Sequence, residues 1–368
     1  MVIEREGWQP DWGVPPGESL QEILDDRGVS QADLARRMDR PIKTINEIVK
    51  GKAAITPDTA IQLERALAIP ATYWNNLERN YREYVARSNA QKELSKYQGW
   101  VKRFPIAIMK KYDLLPRRAT QEQLADALLT YFQISSPSAW NRYWLESHAA
   151  LRKSVAFDQS AESTSAWLRW GEMVAARQDL PSTDLDAFKE MLPHLTVLTR
   201  SELFAARPKL EDACNRCGIA LLVLPEFPGA RISGATHWIA SGHAIIQLSG
   251  RFKTVDQFWM SFFHEAWHLL NDRRGDRLTL DIASDTNGGT LESNEREIRA
   301  ERYACEILVP QKVVDDVIVT GITRDAIRNA AEDLGVGPDI VLGRLQRAGD
   351  AGWSDFSGMH RRFAWADR

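Results

Sequence analysis

The stretch FFHEAWHLL (residues 262–270) decides how the C-terminal half of this chain folds. Its apolar residues predict a buried helix, and residues four apart on a helix share one face. His264 and His268 therefore direct two imidazoles toward one point, where they can bind a metal ion. Glu265 can reach a water molecule on that ion and take its proton. Because five residues match this pattern easily by chance, a metal site also requires a third ligand.

A candidate third ligand follows in EREIRAERYACEILVP (residues 295–310), which predicts a second helix over residues 295–308, ended by Pro310. Glu297 lies 29 residues beyond His268, so the intervening loop is long enough to bring this helix back onto the first one. A catalytic zinc takes three protein ligands and keeps one position for water. Glu301, one turn further on the same face, can accept a hydrogen bond from the far nitrogen of a ligand histidine.

Two strands are predicted before the histidine helix. GIALLVLP (residues 218–225) is a continuous apolar run that predicts a buried strand. HAIIQLS (residues 243–249) alternates and predicts a half-buried strand, which can present an edge to an extended peptide. Cys214 and Cys217 have the spacing of a metal knuckle, but they lack a second pair, and we interpret them as buried thiols.

The N-terminal part predicts a bundle of about five short helices. Ser30 is the expected N-cap of a helix over residues 31–38, and a tight turn at residues 39–40 leads to the next helix. That helix is predicted to turn four apolar side chains inward, namely Ile42, Ile45, Ile48 and Val49. Two short helices joined by a tight turn are typical of a helix-turn-helix DNA-binding unit.

Positive charge is concentrated on this helix pair. Residues 36–52 contain six basic and two acidic residues, whereas residues 1–80 contain ten basic and thirteen acidic ones. A local basic patch is where DNA phosphates would lie. The predicted DNA-contacting residues are Gln31, Arg40, Lys43, Thr44, Asn46, Lys50 and Lys52. Among them, Lys43, Thr44 and Asn46 are candidates for base edges and Gln31 for a phosphate, while a bundle used for protein contacts is the alternative.

The same N-terminal part resembles a known family. PGESLQEIL, SQADLARRM, IKTINEIVKGKAAITPDTAIQLERAL and TYWNNLERNY, within about residues 15–85, are similar to the HigA-like antitoxin branch of the XRE repressor family. The resemblance implies a homodimer on a palindromic, double-stranded DNA operator.

The C-terminal part resembles the ImmA/IrrE family of metallopeptidases over about residues 210–350. The motifs that carry the likeness are HAIIQLS, FWMSFFHEAWHLL, EREIRAERYACEILVP and DIVLGRLQRAG. The resemblance implies a gluzincin-like domain in which His264, His268 and Glu297 bind Zn²⁺ and Glu265 is the general base. The family usually has Asn where this chain has Glu301 and often a small residue at Trp267, which here can narrow the cleft.

Hydrolysis also needs a donor for the oxyanion that develops on the substrate. The first candidates in this sequence are His360 and His237, and the further alternatives are His243 and Tyr303.

The bulk composition fits two or three globular domains. Of the 368 residues, 44% are hydrophobic and 26% are charged, with a net charge of -3. We expect a mainly helical, α+β chain with a helix-turn-helix domain (residues 1–85), a helical connector (86–205) and a gluzincin-like zinc domain with a small sheet (206–368). Three cysteines, a charged N-terminus and the lack of a long apolar run predict a cytoplasmic protein without a membrane partner.

These features lead to competing functional hypotheses. The first is a transcriptional regulator whose zinc metalloendopeptidase domain cleaves a specific partner protein, such as a repressor or a toxin–antitoxin partner. The second is a non-catalytic repressor or antitoxin whose zinc domain senses a signal or binds a toxin. A third hypothesis, a zinc hydrolase of a small molecule, is less favoured because strand 243–249 is suited to a peptide.

Overall fold

The structure is a computed structural model that describes residues 13–146, 160–239, 242–251, 253–272, 278–282 and 291–363. It forms two compact units: Met1–Gly99 with Ala119–Asp126, and Trp100–Arg118 with Ala127–Arg368. The predicted mainly helical fold with a small sheet is confirmed. The predicted three-domain division (1–85, 86–205, 206–368) stays a prediction.

The first unit contains four of the expected short helices, α1 Pro16–Asp26, α2 Gln31–Arg37, α3 Ile42–Val49 and α4 Pro57–Leu67. The fifth helix, α5 Ala71–Leu94, is longer than expected, with 24 residues. Ser30 caps α2 as predicted, because its hydroxyl accepts a 3.1 Å hydrogen bond from the Asp33 amide. Asp39 has a φ of 53°. This left-handed residue makes the tight turn between α2 and α3, so the helix-turn-helix geometry follows from local chemistry.

Apolar side chains from all five helices form one core in this unit: Leu20, Leu24, Leu34, Ala35, Met38, Ile45, Ile48, Ile55, Ala60, Leu63, Leu67 and Trp74. Gly17 permits the close approach of α1, since a Cβ there would overlap the carbonyl oxygens of Ile48 and Val49. One prediction was wrong: Ile42 is 55% exposed, because the first residue of α3 lies outside the packed face.

Between residues 98 and 216 the α-helices that the structure describes are α6 Gln98–Val101, α7 Ile106–Lys111, α8 Gln121–Phe132, α9 Pro137–Trp140, α10 Ala161–Ala175, α11 Leu185–Leu195 and α12 Leu203–Arg216. Single-turn 3-10 or π segments occur at residues 95–97, 141–146 and 196–200.

The sheet has four described strands: β1 Ile219–Val223, β2 Ile232–Trp238, β3 Ala244–Leu248 and β4 Leu278–Ile282. Their order is β1-β3-β2-β4, with β1 and β3 parallel and the other pairs antiparallel. The prediction that residues 243–249 present a free edge was wrong. Strand β3 is paired on both sides, and the outer strands of the described sheet are β1 and β4.

Five helices complete the second unit: α13 Val255–Asn271, α14 Leu291–Leu308, α15 Gln311–Thr320, α16 Arg324–Leu334 and α17 Pro338–Ala348. Helix α13 packs on one face of the sheet, where it shares a core with Ala244, Ile246 and Leu248 of β3. Helix α10 covers the other face, where Ala175 packs with Ile245. Within the described part of the chain, no helix is long and apolar enough to cross a bilayer.

Hydrogen bonds of Arg361 connect the C-terminal segment to the rest of this unit. Its guanidinium donates to both carboxylate oxygens of Asp339, at 2.6 and 3.0 Å. It also donates to the carbonyl oxygens of Thr199, Arg200 and Ser201 at 2.5, 3.1 and 2.9 Å. Asp339 is completely buried, and burial raises the pKa of its carboxyl while Arg361 opposes that rise. The arginine is therefore the partner that keeps a buried carboxylate charged.

Arg361→Ala is expected to destabilise the second unit by about 3–5 kcal/mol, because it leaves the Asp339 carboxylate buried without its cationic partner. Urea unfolding followed by circular dichroism measures this change. The neighbouring Arg362→Ala, which truncates an exposed side chain, serves as the control and should change stability by no more than about 0.5 kcal/mol. Equal unfolding midpoints for the two variants would contradict the assigned role of Arg361.

Candidate functional site

The predicted metal ligands converge at the contact between α13 and α14. His264 and His268 are one turn apart on α13, and both are buried. Their Nε2 atoms are 3.1 Å apart, and Oε2 of Glu297 on α14 lies 3.1 Å from His264 Nε2 and 3.5 Å from His268 Nε2. The sequence placed these three residues in two separate helices, and the structure brings them together.

This trio fits a zinc ion. Its ligand atoms all lie within 4.8 Å of one another. A tetrahedral ion with bonds of about 2.0–2.1 Å has neighbouring ligand atoms roughly 3.4 Å apart, close to the spacing observed. Two imidazole nitrogens and one carboxylate oxygen are also donors that zinc prefers. Because three electron-rich atoms face one point, they need a proton or a cation between them.

Asp272 is a site residue that the sequence analysis missed. Its Oδ2 lies 3.0 Å from His268 Nδ1, and its Oδ1 accepts a 3.1 Å hydrogen bond from Arg296 Nε. Since a carboxylate accepts only, Nδ1 of His268 carries a proton, which leaves Nε2, the atom that faces His264 and Glu297, as the nitrogen that a metal would bind. An acidic residue four positions after the second histidine, on the same helical face, was the sequence signal available.

Neighbouring groups shift the pKa values of the ligands in opposite directions. Burial by itself lowers the pKa of His268, but hydrogen bonds to Asp272 and Glu297 and the nearby carboxylate charges outweigh it and raise the pKa to about 10. Burial raises the pKa of Glu297, but the two histidines outweigh it and lower the pKa to about 2. The site therefore strongly favours positive charge beside the Glu297 carboxylate.

The predicted base, Glu265, is completely buried between α13 and strand β2. Its Oε2 accepts a 2.5 Å hydrogen bond from the Thr236 hydroxyl. Gly234 makes room for the carboxylate, since a Cβ there would overlap Cγ and Oε1 of Glu265. The charge of Glu265 also contributes to the raised pKa of His268, so the predicted base and the predicted metal ligands share one electrostatic environment.

His237 lies on the wrong face of the sheet to donate to an oxyanion at this site. Gly234 and Thr236 face α13, and side chains alternate along a strand, so His237 points to the opposite face. Its register partner on β3 is Ile245, which packs against Ala175 of α10.

His360 lies near the other end of α13. Its Nδ1 is 3.2 Å from Asp256 and its Nε2 is 3.0 Å from Gln346. Asp256 precedes His264 by eight residues, a separation of about 12 Å along a helix. The structure thus engages both ring nitrogens of His360 away from the metal ligands. The roles of His243 and Tyr303 stay predictions.

Glu301 and Trp267, the two residues that differ from the pattern of the ImmA/IrrE family, have different surroundings. The carboxylate of Glu301 lies 3.4 Å from Arg347 Nη1, with its side chain 55% exposed. Because Asp272 already contacts Nδ1 of His268, Glu301 is not needed as the partner of that ring. The predicted hydrogen bond from a ligand histidine to Glu301 therefore stays a prediction, and for His264 only. The ring of Trp267 meets that of His268 edge to face, with centroids 5.2 Å apart. A large side chain therefore does lie beside a ligand histidine.

The predicted DNA-contacting residues lie in the first unit. Lys43 on α3 is 85% exposed, and its ammonium lies 3.9 Å from Glu47, so it is accessible to a phosphate or a base. Lys50 and Lys52 are also exposed, and Thr44 is half-buried.

Three of the predicted polar residues have partners within the unit. Asn46 donates to the side-chain oxygen of Gln31 at 3.2 Å, and Gln31 donates to Gln21 at 2.7 Å. Arg40 Nε donates to Gln62 at 2.7 Å. These contacts hold the side chains between α1, α2 and α3 or against α4. All seven predicted DNA contacts stay predictions.

Comparisons with known proteins identify this unit. The sequence model of the helix-turn-helix family matches residues 20–74. An uncharacterized HTH-type transcriptional regulator of Escherichia coli (strain K12), YddM, is 38% identical over 63 residues, which are 17% of this chain and 67% of that protein. Virulence-associated protein I of Dichelobacter nodosus is 35% identical over 79 residues, which are 21% of this chain and 73% of that protein.

A solved structure is also similar over this part. The structure of the Pseudomonas aeruginosa antitoxin HigA with the higBA promoter is 34% identical, covering 22% of this chain and 90% of that chain with a TM-score of 0.22. The prediction of an XRE-family helix-turn-helix domain is confirmed by the family match, and the chain belongs to the helix-turn-helix family through residues 20–74.

Proposed function

We propose that this chain is a DNA-binding transcriptional regulator with a zinc metallopeptidase site of the ImmA/IrrE type that cleaves a partner protein. One observation carries the peptidase part: His264, His268 and Glu297 converge with their ligand atoms 3.1–3.5 Å apart, beside Glu265. A site for metal alone does not require a buried glutamate next to the ligands, whereas hydrolysis requires a base there.

In this mechanism the chain contributes three ligands and one base. His264, His268 and Glu297 would hold the ion, and Asp272 would keep the His268 ring in the binding tautomer. Zinc, when bound, supplies polarisation and lowers the pKa of water toward about 7. Glu265 takes a proton from the attacking water and passes it to the leaving amine, so the peptide gains one water across the broken C–N bond. The Thr236 hydroxyl holds one oxygen of Glu265 in place.

The DNA-binding part rests on the helix-turn-helix unit and on its relatives. The HigA structure is described with its promoter, and YddM is described as a transcriptional regulator. By analogy, we propose that α3 enters the major groove of a double-stranded operator and that two copies bind a palindromic site. The local excess of basic residues over 36–52 supports this docking face.

A second candidate function is a repressor or antitoxin without turnover. The specific observation that favours it is the complete burial of Glu265. A general base must reach the attacking water. The Glu265 carboxylate is enclosed against β2, so it can reach that water only if the structure around it opens. In this alternative the zinc domain binds a protein partner, such as a toxin, or senses a signal.

Zinc is expected to stabilise the second unit. Free zinc at a hundredfold excess over its dissociation constant adds about 2.7 kcal/mol to the folded state. Thermal unfolding of metal-stripped protein, with and without zinc, measures the effect together with the bound metal content. His264→Ala should abolish the zinc-dependent shift, whereas His194→Ala, which changes an exposed histidine, should retain it. A wild-type chain that shows no zinc-dependent shift would refute the metal site.

Glu265→Gln is expected to keep zinc binding and to reduce cleavage by at least about 100-fold, because the amide cannot accept the proton. The substrate to try first is the protein encoded next to this chain, with new termini detected by mass spectrometry. Undiminished cleavage by the variant would rule out Glu265 as the base. If the wild-type chain binds that protein without cutting it, the non-catalytic alternative is supported instead.

Lys43→Ala is expected to weaken DNA binding and to lower the slope of log affinity against log salt by about 1, because one phosphate contact is lost. Asn46→Ala should relax base preference by about 1–3 kcal/mol. Binding to the DNA upstream of the chain's own coding sequence, titrated at several salt concentrations, measures both. Lys92→Ala, at the exposed end of α5, is the control. Identical salt slopes for Lys43→Ala and Lys92→Ala would show that α3 does not face DNA as proposed.

A further inference from the structure

Asp272 and Arg296 link the two helices that carry the proposed metal ligands. Asp272 is the C-terminal cap residue of α13, and its amide donates to the His268 carbonyl oxygen at 2.9 Å. Arg296 immediately precedes Glu297 on α14. Arg296 contacts Asp272 at the end of α13, and the adjacent Glu297 contacts the two histidines. Two neighbouring residues of α14 thus contact α13 at different points.

The Asp272 carboxylate is held from two sides. Its side chain is 8% exposed, with one oxygen on His268 Nδ1 and the other on Arg296. A carboxylate that is so buried remains charged only when it is paired. The Arg296 side chain is 40% exposed, so it reaches from the surface to an inner site. Its guanidinium fixes the position of the carboxylate, and the carboxylate fixes the plane and the tautomer of the His268 ring.

We propose that Arg296 and Asp272 act in series as positioning residues: Arg296 holds Asp272, and Asp272 holds His268 ready for metal. This inference rests on the proposed zinc function and extends it to Arg296, which is not itself one of the three ligands. A movement of α14 that draws Glu297 away from the histidines also breaks the contact between Arg296 and Asp272. Ligand geometry and helix docking are thereby coupled, and Arg296 sets zinc affinity from outside the site.

The test uses zinc itself as the probe and the full chain, with affinity measured by competition against a fluorescent chelator. Asp272→Ala should weaken zinc binding roughly 10–100-fold, the usual effect of removing the partner of a ligand histidine. Asp272→Asn, which keeps the shape, should weaken binding in the same direction and guards against misfolding of the alanine variant. Arg296→Ala should weaken binding by a smaller factor, and Arg296→Lys should restore part of it.

Arg299→Ala is the matched control. Arg299 lies on the same helix and pairs with Glu295 one turn away, at 3.4 Å, with its side chain 67% exposed. This variant should bind zinc like the wild type. The double variant Asp272→Ala/Arg296→Ala should bind no more weakly than Asp272→Ala alone, because residues that act in series are not additive.

The outcomes separate this inference from the proposed function. A wild-type chain that binds no zinc refutes the proposed function itself. If the wild type binds zinc but Asp272→Ala and Asp272→Asn bind it equally well, the positioning role is wrong. Additive losses in the double variant would show that Arg296 acts on the site without Asp272, which also overturns the series arrangement.

Discussion

The packing of helix α13 against the sheet is the constraint on which the proposed site depends. One face of this helix joins the core of the second unit, in contact with β2 and β3. The same packing orients His264 and His268 toward α14 and presses Glu265 against β2 at Gly234. The helix cannot rotate to release the histidines without exposing apolar side chains, so hydrophobic burial determines the direction of the polar ligands.

Charge balance explains why so many polar groups are tolerated beside this core. Asp272 and Glu297 compensate the histidines, and Arg296 compensates Asp272, so each buried charge has a partner of opposite sign. Glu265 accepts a hydrogen bond from the Thr236 hydroxyl, and its charge also acts on His268. A buried polar network is stable when each member is satisfied. The same network gives the site the fixed geometry that metal binding and general base catalysis both require.

The helix-turn-helix unit is organised differently, with its polar residues on the outside of an apolar core. Its apolar core orders short helices that would be marginal alone, and the turn at Asp39 sets the angle between α2 and α3. What remains on the outer side of α3 is a row of polar and basic residues, with Ile42 exposed at its start. Together with the proposed metal site of the second unit, this exposed surface would allow one chain to bind DNA and to act on a protein partner, as proposed.

The sequence by itself determined the helix-turn-helix unit and the histidine helix, because capping residues and helical spacing are local or periodic signals. It also named His264, His268 and Glu297 as metal ligands, and that assignment stays a prediction. Only the tertiary structure decided which groups surround the ligands. Asp272 and Arg296 came together through the return of α14 onto α13, and His237 was turned away by strand alternation. Likewise, β3 became an inner strand because pairing order depends on contacts far apart in sequence, which local patterns do not encode.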